Sequence, residues 1–570
     1  MQFLRKYLKP YYWRLASQMS VKLGGSVIEL LIPGMLSMML DDYAPVGDIG
    51  GVWMVGAMML VCALLAVVGN ICANRMATNI SKEITRAIRR DLFDKVQSLS
   101  AAQRDKLTDA SAISRLTSDT YNVHQMIDRM QRLGVRAPIM LIGGMMVALA
   151  LEPVLTLVMA AALPLLGYVI VTLSRKGVPL FTHVQQAQDV MVRKVQENMA
   201  GARVIRALSR TKWEQDSFEE ISGELIARQR TADVTMAKVS PTVNFLLNTG
   251  LAAVVLVGAY RVNMGLMQPG KIIAFLSYFT IILNALMMVS RLFVMYSKGS
   301  ASAKRLGDVF ALPEDMAVEA QTETKDEDAH IVFDHVSFSY NKNRFDVEDI
   351  SFTLKKGETL GVIGPTGSGK STLLSLLLRQ YDPDRGEIRM NGRKLTTIPP
   401  EMLYQGVGAV FQNDFLMADS LRENIRFGRE VQDESMLDAA ESAQAGFIRQ
   451  KEGGLDFMLN VKGRNLSGGQ QQRVLITRAL ADDPELLLLD DCSSALDYKT
   501  DRALRRALRK QYANATTVLV AQRVSAVMAA DHIIVMDGGR MVGYGTHETL
   551  RNECPLYQAL CVLQLGKEAV

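Results

Sequence analysis

At 570 residues the chain is too long for one compact domain and suits two or more. Apolar residues make up 49% and charged residues 22%, and the two kinds are segregated: long apolar runs fill the N-terminal half, charged α/β-type sequence the rest. The net charge of +5 is small for this length and gives no case for a nucleic-acid partner. The five cysteines (Cys62, Cys72, Cys492, Cys554 and Cys561) form no CxxC pair and no metal-ligand spacing. Cys62 and Cys72 fall in one apolar helix, where cysteine usually serves as a small buried hydrophobe.

The N-terminus, MQFLRKYLKP, is basic and amphipathic with no cleavage site after a short apolar core. It reads as a helix lying on the inner leaflet, not as a removable signal peptide. Six segments then have enough apolar length to span a bilayer, near 16–40, 53–74, 134–151, 153–174, 243–264 and 272–296. A spanning helix needs roughly 20 such residues. Short turns join the first to the second, the third to the fourth at Glu152-Pro153, and the fifth to the sixth. The connections over 75–133 and 175–242 are long, charged and helical in pattern. They carry many bases, among them Lys82, Arg86, Arg89 and Arg90, whereas the first short turn carries Asp41, Asp42 and Asp48 and no base. Cytoplasmic loops hold the Lys/Arg excess, so both termini and both long connections are expected in the cytoplasm. Two patches, 104–119 and 197–218, interrupt the helical pattern with turn formers and small residues, and carry apolar side chains such as Ile113, Leu208 and Trp213.

Residues 311–330 are acidic, poor in large apolar groups, and read as a linker. Beyond them short β-runs alternate with helices, the pattern of an α/β domain. The expected organisation is an all-α transmembrane domain over 1–310 and an α/β nucleotide-binding domain over 331–570.

Three motifs carry chemistry. GPTGSGKST (Gly364, Pro365, Thr366, Gly367, Ser368, Gly369, Lys370, Ser371, Thr372) fits G-x-x-x-x-G-K-[ST] between the apolar run TLGVI and a helix-forming LLSLLLR. Its glycines let backbone N–H groups turn toward phosphates, Lys370 neutralises them, and Ser371 reaches Mg²⁺. LLLLD is a buried strand ending in Asp490, a carboxylate placed to hold Mg²⁺. LSGGQQQR opens a helix with two glycines after Ser467, so that free N–H groups and the helix dipole favour an anion beyond it.

With these motifs the whole chain resembles the ATP-binding cassette (ABC) family, whose signature is LSGGQ, and its layout is similar to exporter-type half-transporters. The resemblance implies further roles. Tyr340 matches the aromatic residue that stacks on adenine. Gln412 matches the glutamine that contacts Mg²⁺ and faces the membrane domain. SALD, ending in Asp497, matches the loop that crosses between paired cassettes. The patches near 104–119 and 197–218 match coupling helices. Two cassettes pair head to tail, each ATP held by the phosphate loop of one and the signature (here Ser467, Gly468, Gly469 and Gln470) of the other, so one such chain must dimerise.

The sequence departs from the family pattern in three places. The catalytic glutamate after the carboxylate strand is Asp491, one methylene shorter, and a misplacement on the order of 1 Å can cost about 10²-fold in rate. The switch histidine is Gln522, which donates a hydrogen bond but carries no proton. Val461 stands where exporters usually carry an acid. The first two changes affect one reaction step and resemble the degenerate-site subunit of heterodimeric bacterial exporters. The implied partner is a second half-transporter carrying Glu and His, the implied place the bacterial inner membrane. The alternative is a homodimer with slow hydrolysis.

The expected cargo is a small hydrophobic or amphipathic compound, with a lipid, peptide or siderophore as alternatives. Glu29, in mid-span, is either a cargo contact or one member of an ion pair. Asn244, Asn248, Tyr278 and Asn284 either line the cavity or bind helices together. The 32 methionines suit promiscuous apolar cargo or ordinary packing.

Overall fold

Apolar helical runs interrupted by Pro, Gly and Asp divide the N-terminal half into long rods. This computed structural model describes residues 2–566 apart from 314, 315, 317, 321–328, 413 and 493, so the expected linker lies largely outside the described residues. Two units separate: residues 1–98 with 109–312, and residues 99–108 with 313–570.

The first unit is all helix: α1 (Tyr12–Met38), α2 (Ile49–Gln97), then, after a short helix α3 (Ala101–Leu107) that belongs to the other unit, α4 (Asp109–Leu151), α5 (Pro153–Ala207), α6 (Thr211–Ala237), α7 (Val239–Asn263) and α8 (Pro269–Phe310). Among the described residues five helices are long and apolar enough to cross a membrane, not six. The expected fourth span opens α5, where Pro153–Val169 is a shorter apolar stretch. The helices break where the sequence supplies turn formers. Thr108, at the end of α3, has φ 57°, and Ser209, between α5 and α6, has φ 54°.

Polar side chains join the helices. Gln18, Lys22, Ser26 and Glu29 recur at helical spacing along α1, and the first three are buried. The Lys22 ammonium donates to the amide oxygens of Asn70 (2.8 Å) and Asn74 (3.1 Å) on α2. Gln18 Nε2 reaches the Gln131 carbonyl on α4 at 3.3 Å. Glu29 meets the Arg136 guanidinium of α4 at 2.8 Å, which is the ion-pair reading of that carboxylate. Pro33 lies inside α1, and the buried Tyr278 of α8 donates its hydroxyl to the nearby Leu30 carbonyl at 2.7 Å, so Tyr278 binds helices together. Asp41 accepts from the Gly270 backbone N–H at 2.5 Å, a carboxylate on the positive end of α8. Glu152 pairs with Arg261 at 2.9 Å, tying the α4–α5 turn to α7. Cys62 is half-buried and Cys72 exposed, against the expectation of two buried thiols. Both lie on α2, whose apolar surface is largely uncovered within the chain.

The second unit is α/β. Strands β1 (Ala329–Phe338), β2 (Val347–Lys355), β4 (Arg385–Met390) and β5 (Arg393–Lys394) form an antiparallel sheet in the order β2-β1-β4-β5. Strands β3 (Thr359–Ile363), β6 (Val407–Val410), β7 (Leu486–Asp490), β8 (Thr516–Val520), β9 (His532–Asp537) and β10 (Arg540–Gly545) form a six-stranded sheet in the order β10-β9-β3-β8-β7-β6. It is parallel except at β10. Covered on both faces, its strands read as unbroken apolar runs, and β7 is buried at every position. Helix α9 (Lys370–Leu377) follows β3, helix α10 (Gly468–Leu480) precedes β7, and helix α11 (Tyr498–Gln511) follows it.

Candidate ATP site

Phosphate-binding loops need backbone where side chains do not fit. At Gly364 an added Cβ would stand 2.1 Å from the Met536 carbonyl oxygen. At Gly369 it would stand 2.8 Å from that of Asp346, and Gly369 also holds φ 97°. The loop therefore turns tightly from β3, a central strand, into the N-terminus of α9. Lys370 Nζ donates to two carbonyls of its own loop, Gly364 (3.0 Å) and Pro365 (2.7 Å). Burial pulls the pKa of that ammonium down, while the charges of Asp490 and Asp491 hold it up.

Asp490 ends β7, is buried, and accepts the Ser371 hydroxyl at 2.9 Å. Its pKa is raised by burial, against the opposing effects of that hydrogen bond and of Lys370. Asp490, Ser371 and Gln412 border a common cavity of 270 Å³ with Lys370 and Thr372. A carboxylate, a hydroxyl and an amide oxygen form an oxygen donor set that fits Mg²⁺.

Asp491 and Gln522 line the same cavity, and the structure brings them together: Gln522 Nε2 donates to Asp491 Oδ2 at 3.3 Å. Asp491 has φ 47°, its N–H bonded to the Val520 carbonyl. Its pKa is raised by burial and by Asp490, against Arg523 and Lys370.

Tyr340 is exposed, with its hydroxyl 3.4 Å from Thr372 Oγ1. Its ring meets Phe338 and Tyr381 edge-on at 4.9 and 5.1 Å. Two residues beyond the sequence expectations build this corner. Asp346 accepts the Tyr340 backbone N–H at 2.9 Å, and its own carbonyl closes over Gly369. Tyr381 donates to Asp105 of α3 at 2.6 Å. Burial, then that bond, pushes the Tyr381 hydroxyl above the ordinary phenol range, so it stays a donor. Neither residue belongs to a sequence motif; Asp346 holds a backbone N–H six residues away, and Tyr381 a side chain distant in the chain. Residues 99–108, which hold only the start of the 104–119 patch, join the cassette unit, and Gln103 Nε2 there reaches the Pro313 carbonyl at 2.6 Å.

The signature lies apart. Ser467 caps α10, accepting from the Gln470 N–H at 3.3 Å, while Gln470 Oε1 accepts from the Ser467 N–H at 3.1 Å. Gly468 is exposed, with open space where a Cβ would be, and Gly469 is half-buried. Among the described residues lining the ATP cavity, none comes from 467–470. Asp497 caps α11 through Thr500, and the hydrogen bonds from Thr500 lower its pKa.

Apolar rods in one chain with a cassette bearing phosphate loop, carboxylate strand and signature helix define an ATP-driven transporter of the ABC exporter type. Two family models match in that order, the ABC transporter transmembrane region over residues 17–286 and the ABC transporter domain over 347–494. The chain is 33% identical to the "Uncharacterized ABC transporter ATP-binding protein YfiB" of Bacillus subtilis (strain 168), covering 100% of this chain and 99% of that one. It therefore belongs to the ABC transporter family. A second relative from the same organism, the "Probable multidrug resistance ABC transporter ATP-binding/permease protein YheI", is 34% identical over 70% of this chain and 68% of its own. The solved structure of a bacterial Atm1-family ABC exporter with ATP bound shares the fold, with a TM-score of 0.79 at 20% identity over 100% of this chain and 99% of that one.

Proposed function

We propose that this chain is the slow-hydrolysing half of a heterodimeric exporter of hydrophobic or amphipathic compounds. Its Ser467–Gln470 signature would complete the ATP site of a second half-transporter that carries the Glu and His lacking here. The observation that carries this reading is the contact between Asp491 and Gln522. The short carboxylate is set back by one methylene, and its neighbour is an amide that cannot shuttle a proton. Both substitutions therefore weaken activation of the attacking water while leaving the groups that bind nucleotide in place: Lys370, Ser371, Asp490, Gln412 and Tyr340. Mg²⁺ held by Asp490, Ser371 and Gln412 would offset phosphate charge.

Further parts of the reading are six spans, cytoplasmic termini and a bacterial inner-membrane location. The multidrug description of YheI supports, for that relative, a cargo of this kind.

The test is ATPase activity of the purified full chain in lipid nanodiscs. Alone it should turn over well below about 1 s⁻¹, the low end of common enzyme rates. The double variant Asp491→Glu/Gln522→His should raise turnover about 10²-fold. Turnover near 10 s⁻¹ by the unaltered chain alone would sink the degenerate-site reading and favour a homodimer.

A further inference from the structure

A second cavity on the cassette, of 880 Å³, lies under helix α11. It falls within the about 300–1,000 Å³ typical of small-molecule sites. It runs along the strands that carry the ATP site, from their far end up to Leu489, Leu519 and Cys492 beside that site. Thr359 and Thr517, at the starts of β3 and β8, line it, whereas Val520 and Asp490, at the ends of β8 and β7, line the ATP cavity.

The walls combine an apolar floor with a charged rim; the two carboxylates on it are already engaged, Asp501 by Arg505 and Asp531 by the Thr359 N–H. Leu489, Leu504, Leu519 and Cys492 are buried and apolar. Arg502, Arg506 and Arg509 are exposed along one face of α11, at i, i+4 and i+7. Among the described residues none of these three arginines pairs with a carboxylate, whereas Arg505 between them bonds Asp501. Like charges at this spacing repel, and an anion beside them relieves the repulsion. An apolar body next to a row of bases calls for a ligand with an apolar body and an anionic head.

We propose that this cavity binds a single-chain amphipathic anion of the long-chain carboxylate class. The inference stands apart from the degenerate-site reading and needs no partner chain. Its occupant would pack against Leu489 and Cys492, which flank Asp490 and Asp491, so it would press on the strand that carries the catalytic carboxylates.

The experiment is photo-cross-linking of the full chain in nanodiscs with a diazirine-bearing palmitate, read by peptide mass spectrometry. Cross-links are expected within 498–530, displaced by palmitate and not by hexadecanol. Arg502→Ala/Arg506→Ala should lower labelling there about fivefold, as two exposed charge contacts would. Arg502→Lys/Arg506→Lys, which keeps the charge, should label like the unaltered chain. The proposal is overturned if cross-links fall only in the membrane helices, if hexadecanol competes equally, or if the alanine variant labels normally. Labelling of the same peptides by a diazirine phosphatidylglycerol, with none by palmitate, overturns the single-chain assignment.

Discussion

Asp491, which stands where the family pattern has Glu, leaves a trace in stability. Burial and the neighbouring Asp490 raise its pKa in the folded chain above the ordinary 3.8. A carboxyl whose folded pKa is raised binds its proton more tightly when folded, so its relative stability is fully present below the unfolded value and lost as pH rises through the folded one. At neutral pH the ionised Asp491 therefore costs stability. Asp491→Asn keeps the shape and an acceptor for Gln522 while removing the charge, and should raise the apparent unfolding temperature at pH 7.5. The gap to the unaltered chain should close as pH falls toward about 4, near the ordinary carboxylate range. A constant gap across that range would mean that packing, not charge, distinguishes the two side chains. From sequence, the family resemblance already assigns Asp491 and Gln522 to one reaction step. Their contact was not legible there, because it depends on β7 and β8 lying side by side in register, Asp490 opposite Val520.

Helices and loops show the same division between local and distant information. The phosphate loop was legible because its chemistry constrains consecutive residues: Gly364 and Gly369 exclude a Cβ, Lys370 supplies the charge, and β3 and α9 flank them. The α1 seam of Gln18, Lys22, Ser26 and Glu29 has helical spacing too, yet from sequence only the acid stands out. What its members bond to lies on α2 and α4 and leaves no local mark. Helix α3 is the other such case. Its break at Thr108 could be expected from turn formers, but the Tyr381–Asp105 bond joins residues 276 apart. If that bond holds α3 on the cassette, Asp105→Asn should loosen the helix without touching the nucleotide groups. A hydrogen bond of this kind contributes about 1 kcal/mol, or about fivefold in the opening equilibrium of residues 101–107. Hydrogen exchange of those amides should quicken by that factor while α9 stays protected. Unchanged exchange in 101–107 would assign the anchoring to Gln103 and Pro313 instead.

For the whole molecule the decisive quantity is the number of crossings, since parity places the cassette. Among the described residues five helices meet the length and hydropathy needed to cross, and the apolar stretch Pro153–Val169 that opens α5 is shorter. Helix α5 is nevertheless 55 residues long, about 80 Å at 1.5 Å per residue, enough to cross a core of about 30 Å and project beyond it. With six crossings the Leu208 turn and the cassette share a side with the N-terminus, where ATP is available. With five, α5 stays outside, the Leu208 turn faces the exterior, and the cassette is stranded there. The bases of the α5–α6 extension, among them Arg175, Lys176, Arg193, Lys194, Arg206 and Arg210, favour six, because a Lys/Arg excess marks the cytoplasmic side. In a cysteine-free background, Val46→Cys in the α1–α2 turn and Leu208→Cys in the α5–α6 turn both place a thiol at an exposed position, 80% and 66% accessible. A membrane-impermeant maleimide should label Val46→Cys in intact cells and Leu208→Cys only after permeabilisation. Labelling of both in intact cells would mean that α5 does not cross. Labelling of Leu208→Cys alone would invert the orientation of the whole chain.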